Sequence, residues 1–232
     1  MVRLIRRWVA APSHNARYVE RMEDVLAVYR RPLDPAAPLI CFDESGKELA
    51  QARYPARPAR PGTPARVDDQ VVRRGSASLL LAVAPQLGWR QVTVTRRRTY
   101  REWALAMREL VDVHFPEAER VVVVLDNLNI HLLSALYHIF PPAEAFRIAR
   151  KLELHYTPVH GSWLNLAEIE FSVLHRQCLA GRRFATPAEL TAEVRAWVAR
   201  RNAEQARITW TFTPEDARQA MAKCYPNTSS SV

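Results

Sequence analysis

The segment from Val123 to His131 reads Val-Val-Leu-Asp-Asn-Leu-Asn-Ile-His and carries the side chains best suited to chemistry. The β-branched and aliphatic run Val121–Leu125 predicts a buried strand, and that strand ends in Asp126. Ligand sites on open α/β sheets lie at this end of the strands. Because burying a carboxylate, amides and an imidazole without a function would be costly, the pattern predicts a metal site or an acid/base site.

Two further carboxylates are positioned to join Asp126. Asp43 ends an apolar strand predicted at Leu39–Phe42, and Glu168 lies on the helix predicted after the fifth strand. If the first and fourth strands are neighbours, Asp43 and Asp126 stand side by side and the helix closes the triangle. Three carboxylates with water form an oxygen-rich cage that suits Mg²⁺, with Mn²⁺ as a substitute. Two such ions about 4 Å apart activate a water or hydroxyl and stabilise the leaving oxygen of a phosphodiester.

The polar residues beside these acids permit more than one interpretation. Glu44 follows Asp43 on the strand, so we expect it to point to the opposite face and to be solvated. On the later helix, periodicity places Glu170 within the apolar stripe and Glu168 about 160–200° away from that stripe. Periodicity alone therefore favours Glu170 as the inward carboxylate.

Composition excludes several classes of protein. Hydrophobic residues make up 48% of the 232 residues, which is enough for a sizeable core. No apolar run reaches the roughly 18–20 residues of a membrane span, and no apolar segment of a secretory signal follows the basic N-terminus. The three cysteines are far apart and odd in number, which argues against a disulfide framework and for a reducing, cytoplasmic compartment.

The charge balance indicates nucleic acid as a partner. The net charge is +9, and nearly all of the 33 basic residues are arginine, whose forked guanidinium matches phosphate geometry. Segment 52–66 holds four prolines and predicts an extended basic arm or loop. We expect two groups of arginines to contact DNA phosphates, with simple solvation as the alternative: Arg57 and Arg60 in the arm, and Arg96, Arg97 and Arg98 after a strand.

The predicted elements follow the order of a strand, a long loop, two strands in a hairpin, and then alternating helices and strands, with helices at the end. This order predicts an α/β fold with a mixed five-stranded sheet and helices on both faces.

The motifs resemble those of a known family. The segment Asp126-Asn127-Leu-Asn-Ile-His131, followed by Gly161-Ser-Trp-Leu-Asn165-Leu-Ala-Glu168, is similar to the DDE transposases of bacterial insertion sequences in the mariner-like superfamily. Cys41-Phe-Asp-Glu44 resembles the first acidic motif of that family, and His155-Tyr-Thr-Pro158 resembles the strand and turn before the third.

The resemblance implies a ribonuclease H-like fold and Mg²⁺-dependent cleavage of double-stranded DNA at transposon ends, followed by strand transfer to target DNA. Asp43, Asp126 and Glu168 match the family's metal-binding acids, and the motif selects Glu168 over Glu170. Asn127, His131 and Asn165 match the polar neighbours, for which we expect supporting or DNA-positioning roles. A homodimer that pairs two ends, and a bacterial, nucleoid-associated location, are expected by analogy.

The resemblance also sets expectations for domain organisation. We expect a helical lead-in over 1–36, a catalytic core over 37–180, and C-terminal helices over 181–232 that pack on the core and end in a disordered tail at 226–232. Family members usually carry helix-turn-helix modules first, and we expect this chain to lack them. The alternative functions are an inactive or truncated DNA-binding remnant, and a structure-selective nuclease of the same fold without strand transfer.

Overall fold

A mixed five-stranded sheet forms the centre of the molecule, in a computed structural model that describes residues 12–54, 56–66 and 69–226. The strands are β1 (Leu39–Ala52), β2 (Val71–Ala84), β3 (Trp89–Thr95), β4 (Val121–Leu125) and β5 (Leu152–Tyr156). They stand in the order β3-β2-β1-β4-β5. β2 pairs antiparallel with both β1 and β3, whereas β4 pairs parallel with both β1 and β5. The mixed sheet expected from the sequence is confirmed.

Helices cover both faces of this sheet and enclose two hydrophobic cores. The helices are α1 (Ala16–Tyr29), α2 (Tyr100–Glu109), α3 (Ser134–Ile139), α4 (Pro142–Lys151), α5 (Leu166–Leu174), α6 (Pro187–Ala203) and α7 (Pro214–Ala220). One core packs α1, α5, α6 and α7 against one face, and the other packs α2, α3 and α4 against the opposite face. Because helices cover both faces, every residue of β4 is apolar and buried.

β1 and β2 are longer than the sequence pattern predicts, and they pair with each other where a long loop was expected. The apolar run ends at Phe42, yet β1 continues to Ala52 and stays paired with β2 through a register shift at Leu49 and Ala50. Pairing continues because the two strands satisfy each other's backbone beyond the core, where apolar side chains are not required. The arm that follows narrows into isolated bridges, Arg57 with Arg66 and Arg60 with Thr63.

A buried arginine joins α6 to the sheet. Arg90 on β3 is fully buried, and its guanidinium donates to the carbonyl oxygens of Gly88 and Arg201 at 2.9 and 2.7 Å. It also donates to the carbonyl oxygen of Ala206, and Asn202 exchanges hydrogen bonds with the Arg90 backbone. The C-terminal end of α6 is therefore fixed to the sheet by polar contacts as well as by packing.

Several expectations concern the ends of the chain and its cysteines. The predicted tail from residue 227 onward and residues 1–11 lie outside the described residues. The three cysteines are buried and unpaired, as their number and spacing predict. Within the described ranges, no helix combines the length and apolar character needed to cross a membrane.

Candidate active site

Asp43 and Asp126 are brought together by the pairing of β1 with β4. The parallel register sets Cys41 opposite Val124, so the two aspartates each stand two residues beyond a paired position. Neighbouring strands lie about 4.8 Å apart. The assumption that these strands are neighbours, on which the predicted triangle depends, holds in the structure.

The pKa of the Asp43 carboxyl depends on its burial and on the charges around it. Its Oδ1 accepts a hydrogen bond from the Glu44 backbone N–H at 2.8 Å. Burial raises the pKa of Asp43 most, this hydrogen bond lowers it, and the charges of Asp126, Glu168 and Glu44 raise it, with a net result of about 7. Asp126 and Glu168 therefore both contribute negative charge at Asp43.

Asn165 fixes the start of α5, the helix that carries Glu168. Its side chain caps the helix by accepting from the Ala167 N–H at 3.1 Å, and it donates to the carbonyl oxygen of Phe42 at 2.9 Å. Phe42 directly precedes Asp43, so one buried amide ties the first turn of α5 to the strand at the site. Glu168 lies in that first turn and is exposed.

Glu170 is committed to a different contact. Its carboxylate is fully buried, and it lies 3.1 Å from Arg90 Nε and 3.1 Å from an Arg201 terminal nitrogen. Glu170 does point inward, as periodicity predicts, together with Leu166, Ala167 and Leu174, although Ile169 of the predicted stripe is exposed. The inward carboxylate meets this ion pair rather than Asp43. The geometry therefore favours Glu168 as the third carboxylate of the site.

His131 connects Asp126 to Glu44. The His131 ring is fully buried, with Nε2 at 2.9 Å from Glu44 Oε1 and Nδ1 at 2.7 Å from Asp126 Oδ1. The Nδ1 contact with good hydrogen-bond geometry goes to the Asp126 carbonyl oxygen at 3.2 Å. Burial lowers the pKa of His131, but its contacts with the Asp126 and Glu44 carboxylates, together with their charges, outweigh burial and raise it to about 9.

The expectation that Glu44 is solvated is wrong. Glu44 does point away from the face of Asp43, but its side chain is only 1% exposed. The opposite face is covered at this level by His131 and by Trp103 of α2, whose ring centroids lie 6.0 Å apart. Strand alternation gives the face of a side chain but not whether a helix covers that face.

The donor set suits a hard divalent cation. It offers carboxylate oxygens alone. Burial raises the pKa of Asp43 most, and the charges of the neighbouring carboxylates raise it further. A cation would relieve that repulsion. Among the described residues, no three His, Cys, Asp or Glu side chains already stand in a metal-holding arrangement. Asp43, Asp126 and Glu168 therefore match the cation in donor type and charge.

The predicted DNA-contact arginines are exposed. β3 runs in the same direction as β1, with Val92 level with Asp43 through Leu81. At about 3.3 Å per residue, the end of β3 at Thr95 lies roughly 10 Å further along the strand direction than Asp43, and Arg96–Arg98 follow it. The arm begins beyond Ala52, roughly 30 Å from the acids by the same rise.

Sequence reasoning missed a groove lined by Asn127, the residue that follows Asp126. Its lining includes Arg17 and Arg21 of α1, Asn127, and His160 of the loop after β5, and its volume is about 470 Å³. Arg17 is exposed, and Arg21 lies over the Tyr156 ring at 5.3 Å. The only available signal was two arginines four residues apart in a helix interpreted as a lead-in.

Comparisons with known proteins agree with this architecture. A family model described as DDE superfamily endonuclease matches residues 38–191. No curated protein matches the sequence. Among solved structures, a Mos1 mariner paired-end complex with Mn has a TM-score of 0.61 at 17% identity, covering 96% of this chain and 66% of that one. The catalytic domain of Mos1 mariner transposase has a TM-score of 0.54 at 14% identity, covering 93% and 97%.

These likenesses show the fold, and the chain spans slightly less than two thirds of the Mos1 chain in the paired-end complex. The family resemblance expected from the acidic motifs is confirmed, because the matched segment contains all three acids and most of the sheet. The chain belongs to the DDE superfamily endonuclease family.

Proposed function

We propose that this chain is the catalytic domain of a mariner-like transposase, which cleaves DNA at transposon ends with Mg²⁺ and transfers the strand to target DNA. The observation that carries the proposal is the parallel pairing of β1 with β4, which sets Asp43 and Asp126 side by side. The Asn165 contact with Phe42 ties the start of α5 to β1. We infer that Glu168, in the first turn of α5, joins the two aspartates where α/β sheets place their ligands.

Asp43, Asp126 and Glu168 would hold the divalent cations, Mg²⁺ or Mn²⁺. When bound, a pair of such ions lowers the pKa of an attacking water or hydroxyl and stabilises the leaving oxygen. The protein's own contribution is to fix the carboxylates. Asn165 holds the start of α5 against β1, and the His131 imidazole contacts Oδ1 of Asp126.

The proposed reaction consists of two in-line displacements at phosphorus. Water first attacks a phosphodiester at the transposon end, and the 3′-hydroxyl leaves. That hydroxyl then attacks a phosphodiester of the target DNA and displaces its 3′-oxygen. The exposed arginines at the sheet edge and the candidate groove lined by Asn127 would orient the two DNA substrates, since phosphate contacts position DNA without reading its sequence.

Double-stranded DNA and a second copy of the chain are the proposed partners. The similar Mos1 structures are described as paired-end, pre-cleavage and strand-transfer complexes, and by analogy we propose that two copies synapse two ends. With DNA as substrate, the protein would act at the bacterial nucleoid.

Nicking of supercoiled plasmid by the purified chain tests the proposed cleavage. We expect Mn²⁺ to stimulate nicking, EDTA to stop it, and Asp126→Asn to be inactive. Pre-cleaved ends incubated with plasmid then test strand transfer. Nicking without strand transfer would favour the structure-selective nuclease, and absence of both with intact DNA binding would favour the DNA-binding remnant.

Neutralising Arg96–Arg98 as glutamines is expected to weaken DNA binding without changing sequence preference. Each lost phosphate contact lowers the dependence of log K on log salt by about 0.9, so the slope should fall by roughly 2–3. A matched control replaces Arg30, Arg182 and Arg218, which are ion-paired to carboxylates elsewhere. Equal slopes for the two triple variants, measured by fluorescence anisotropy, would remove Arg96–Arg98 from the interface.

A further inference from the structure

Glu44 is a buried carboxylate on the far side of β1 from Asp43. The two residues are consecutive, so the strand sends one carboxylate to each face of the sheet. Glu44 Oε1 contacts His131 Nε2 at 2.9 Å, and His131 Nδ1 contacts Asp126 Oδ1 at 2.7 Å. A continuous chain of side chains therefore runs from Glu44 through the imidazole to Asp126.

The imidazole has little freedom to move within this chain. The Phe42 ring meets it edge-on with centroids 5.9 Å apart, and the Trp103 ring lies 6.0 Å away. The His131 backbone is also held, because the Tyr156 hydroxyl donates to its carbonyl oxygen at 2.7 Å. Because the ring is fixed, its contact with Glu44 determines where it meets the Asp126 carboxylate.

Packing alone does not account for Glu44. Its second oxygen, Oε2, is buried and has no hydrogen-bond partner among the described residues. A buried carboxylate with an unsatisfied oxygen is destabilising, and well-packed apolar residues commonly replace buried ion pairs with no loss of stability. A buried polar atom without a hydrogen-bond partner, such as Glu44 Oε2, calls for a functional explanation.

We propose that Glu44 is a positioning residue for the candidate metal site, acting through His131 to set the orientation of the Asp126 carboxylate. Asp126 Oδ1 is buried against the ring while the side chain as a whole is 36% exposed, so the second oxygen is the one accessible to a cation. The inference rests on the proposed function, because it assigns Asp126 to a cation.

Mn²⁺ binding to the purified, DNA-free protein tests this role by isothermal titration calorimetry. Outer groups that orient metal ligands typically change metal affinity by 10–100-fold, so we expect Glu44→Gln and His131→Gln each to weaken Mn²⁺ binding about tenfold. The double variant should be no weaker than the single variants, because the two residues act in series. It also removes the buried Glu44 charge together with its partner, so it stays informative if a single variant folds poorly.

Glu48→Gln is the matched control, since Glu48 lies on the same strand but is exposed and pairs with Arg73 at 2.9 Å. Circular dichroism and thermal melting without metal report stability separately from metal affinity. Folded Glu44→Gln or double-variant protein with wild-type Mn²⁺ affinity would overturn the positioning role alone. Absence of Mn²⁺ binding by the wild type would overturn the proposed function and this inference with it.

Discussion

Asp43→Asn is expected to abolish nicking and, at the same time, to raise the melting temperature of the metal-free protein. Loss of a metal ligand removes several kcal/mol of transition-state stabilisation, which corresponds to a fall in rate of at least about 10³-fold. The gain in stability follows from charge. Asp43 is a partly buried carboxyl that faces the negative charges of Asp126, Glu168 and Glu44, and asparagine removes that repulsion with little change in shape.

The sign of the pH dependence follows from the raised pKa of Asp43. Its pKa is about 7 in the folded protein, against an ordinary value of 3.8. Between these values the unfolded chain has lost the proton that the folded protein retains, so metal-free stability falls as the pH rises from about 4 to about 7. The Asp43→Asn variant does not lose stability in this way. Its free energy of unfolding should therefore increasingly exceed that of the wild type as the pH rises across that interval.

Differential scanning fluorimetry in EDTA from pH 4.5 to 8 measures this difference in stability. For a chain of this size, about 1 kcal/mol shifts the melting temperature by roughly 2–4 °C, so a difference of several degrees is expected above pH 7. Excess Mn²⁺ should reverse the order, because only the wild type retains the full ligand set. A variant that melts below the wild type in EDTA at every pH would show that Asp43 is not under repulsion.

The sheet and the first two acids could be predicted because their signals are local. The β-branched run Val121–Leu125 is a buried strand whatever surrounds it, and a strand that ends in Asp126 delivers the carboxylate to the sheet edge. Asp43 follows an apolar run in the same way, although it lies inside β1, which continues to Ala52, rather than at the end of the strand. The family motif then supplied what periodicity on α5 did not, the choice of Glu168.

The polar contacts that support the site depend on distant parts of the chain, which no local pattern encodes. Glu44 is buried because His131, 87 positions away, closes over it. Arg90 can be buried because the carbonyl oxygens of residues more than 100 positions later accept hydrogen bonds from its guanidinium. A charged residue in a strand is usually exposed, so sequence reasoning assigns Glu44 to solvent and passes over Arg90.

The two glutamates of α5 give the sharpest separation of catalysis from stability. Glu168→Gln should lower nicking by about 10³-fold, on the same reasoning as for Asp43, with little change in melting temperature because Glu168 is exposed. Glu170→Gln should do the reverse. It leaves the Arg90 charge buried with only neutral acceptors and removes the partner of Arg201.

Breaking a buried ion pair by removing one partner costs about 3–5 kcal/mol, so Glu170→Gln should melt at least about 6 °C lower and still nick DNA well below that temperature. Glu204→Gln is the matched control, since its contact with Arg200 is exposed and 3.9 Å long. Nicking assays at 20 °C alongside melting curves compare the three variants. An active Glu168→Gln beside a folded but inactive Glu170→Gln would reverse the assignment. It would also move the third carboxylate to the face of α5 that meets Arg90, where the guanidinium competes directly with any cation.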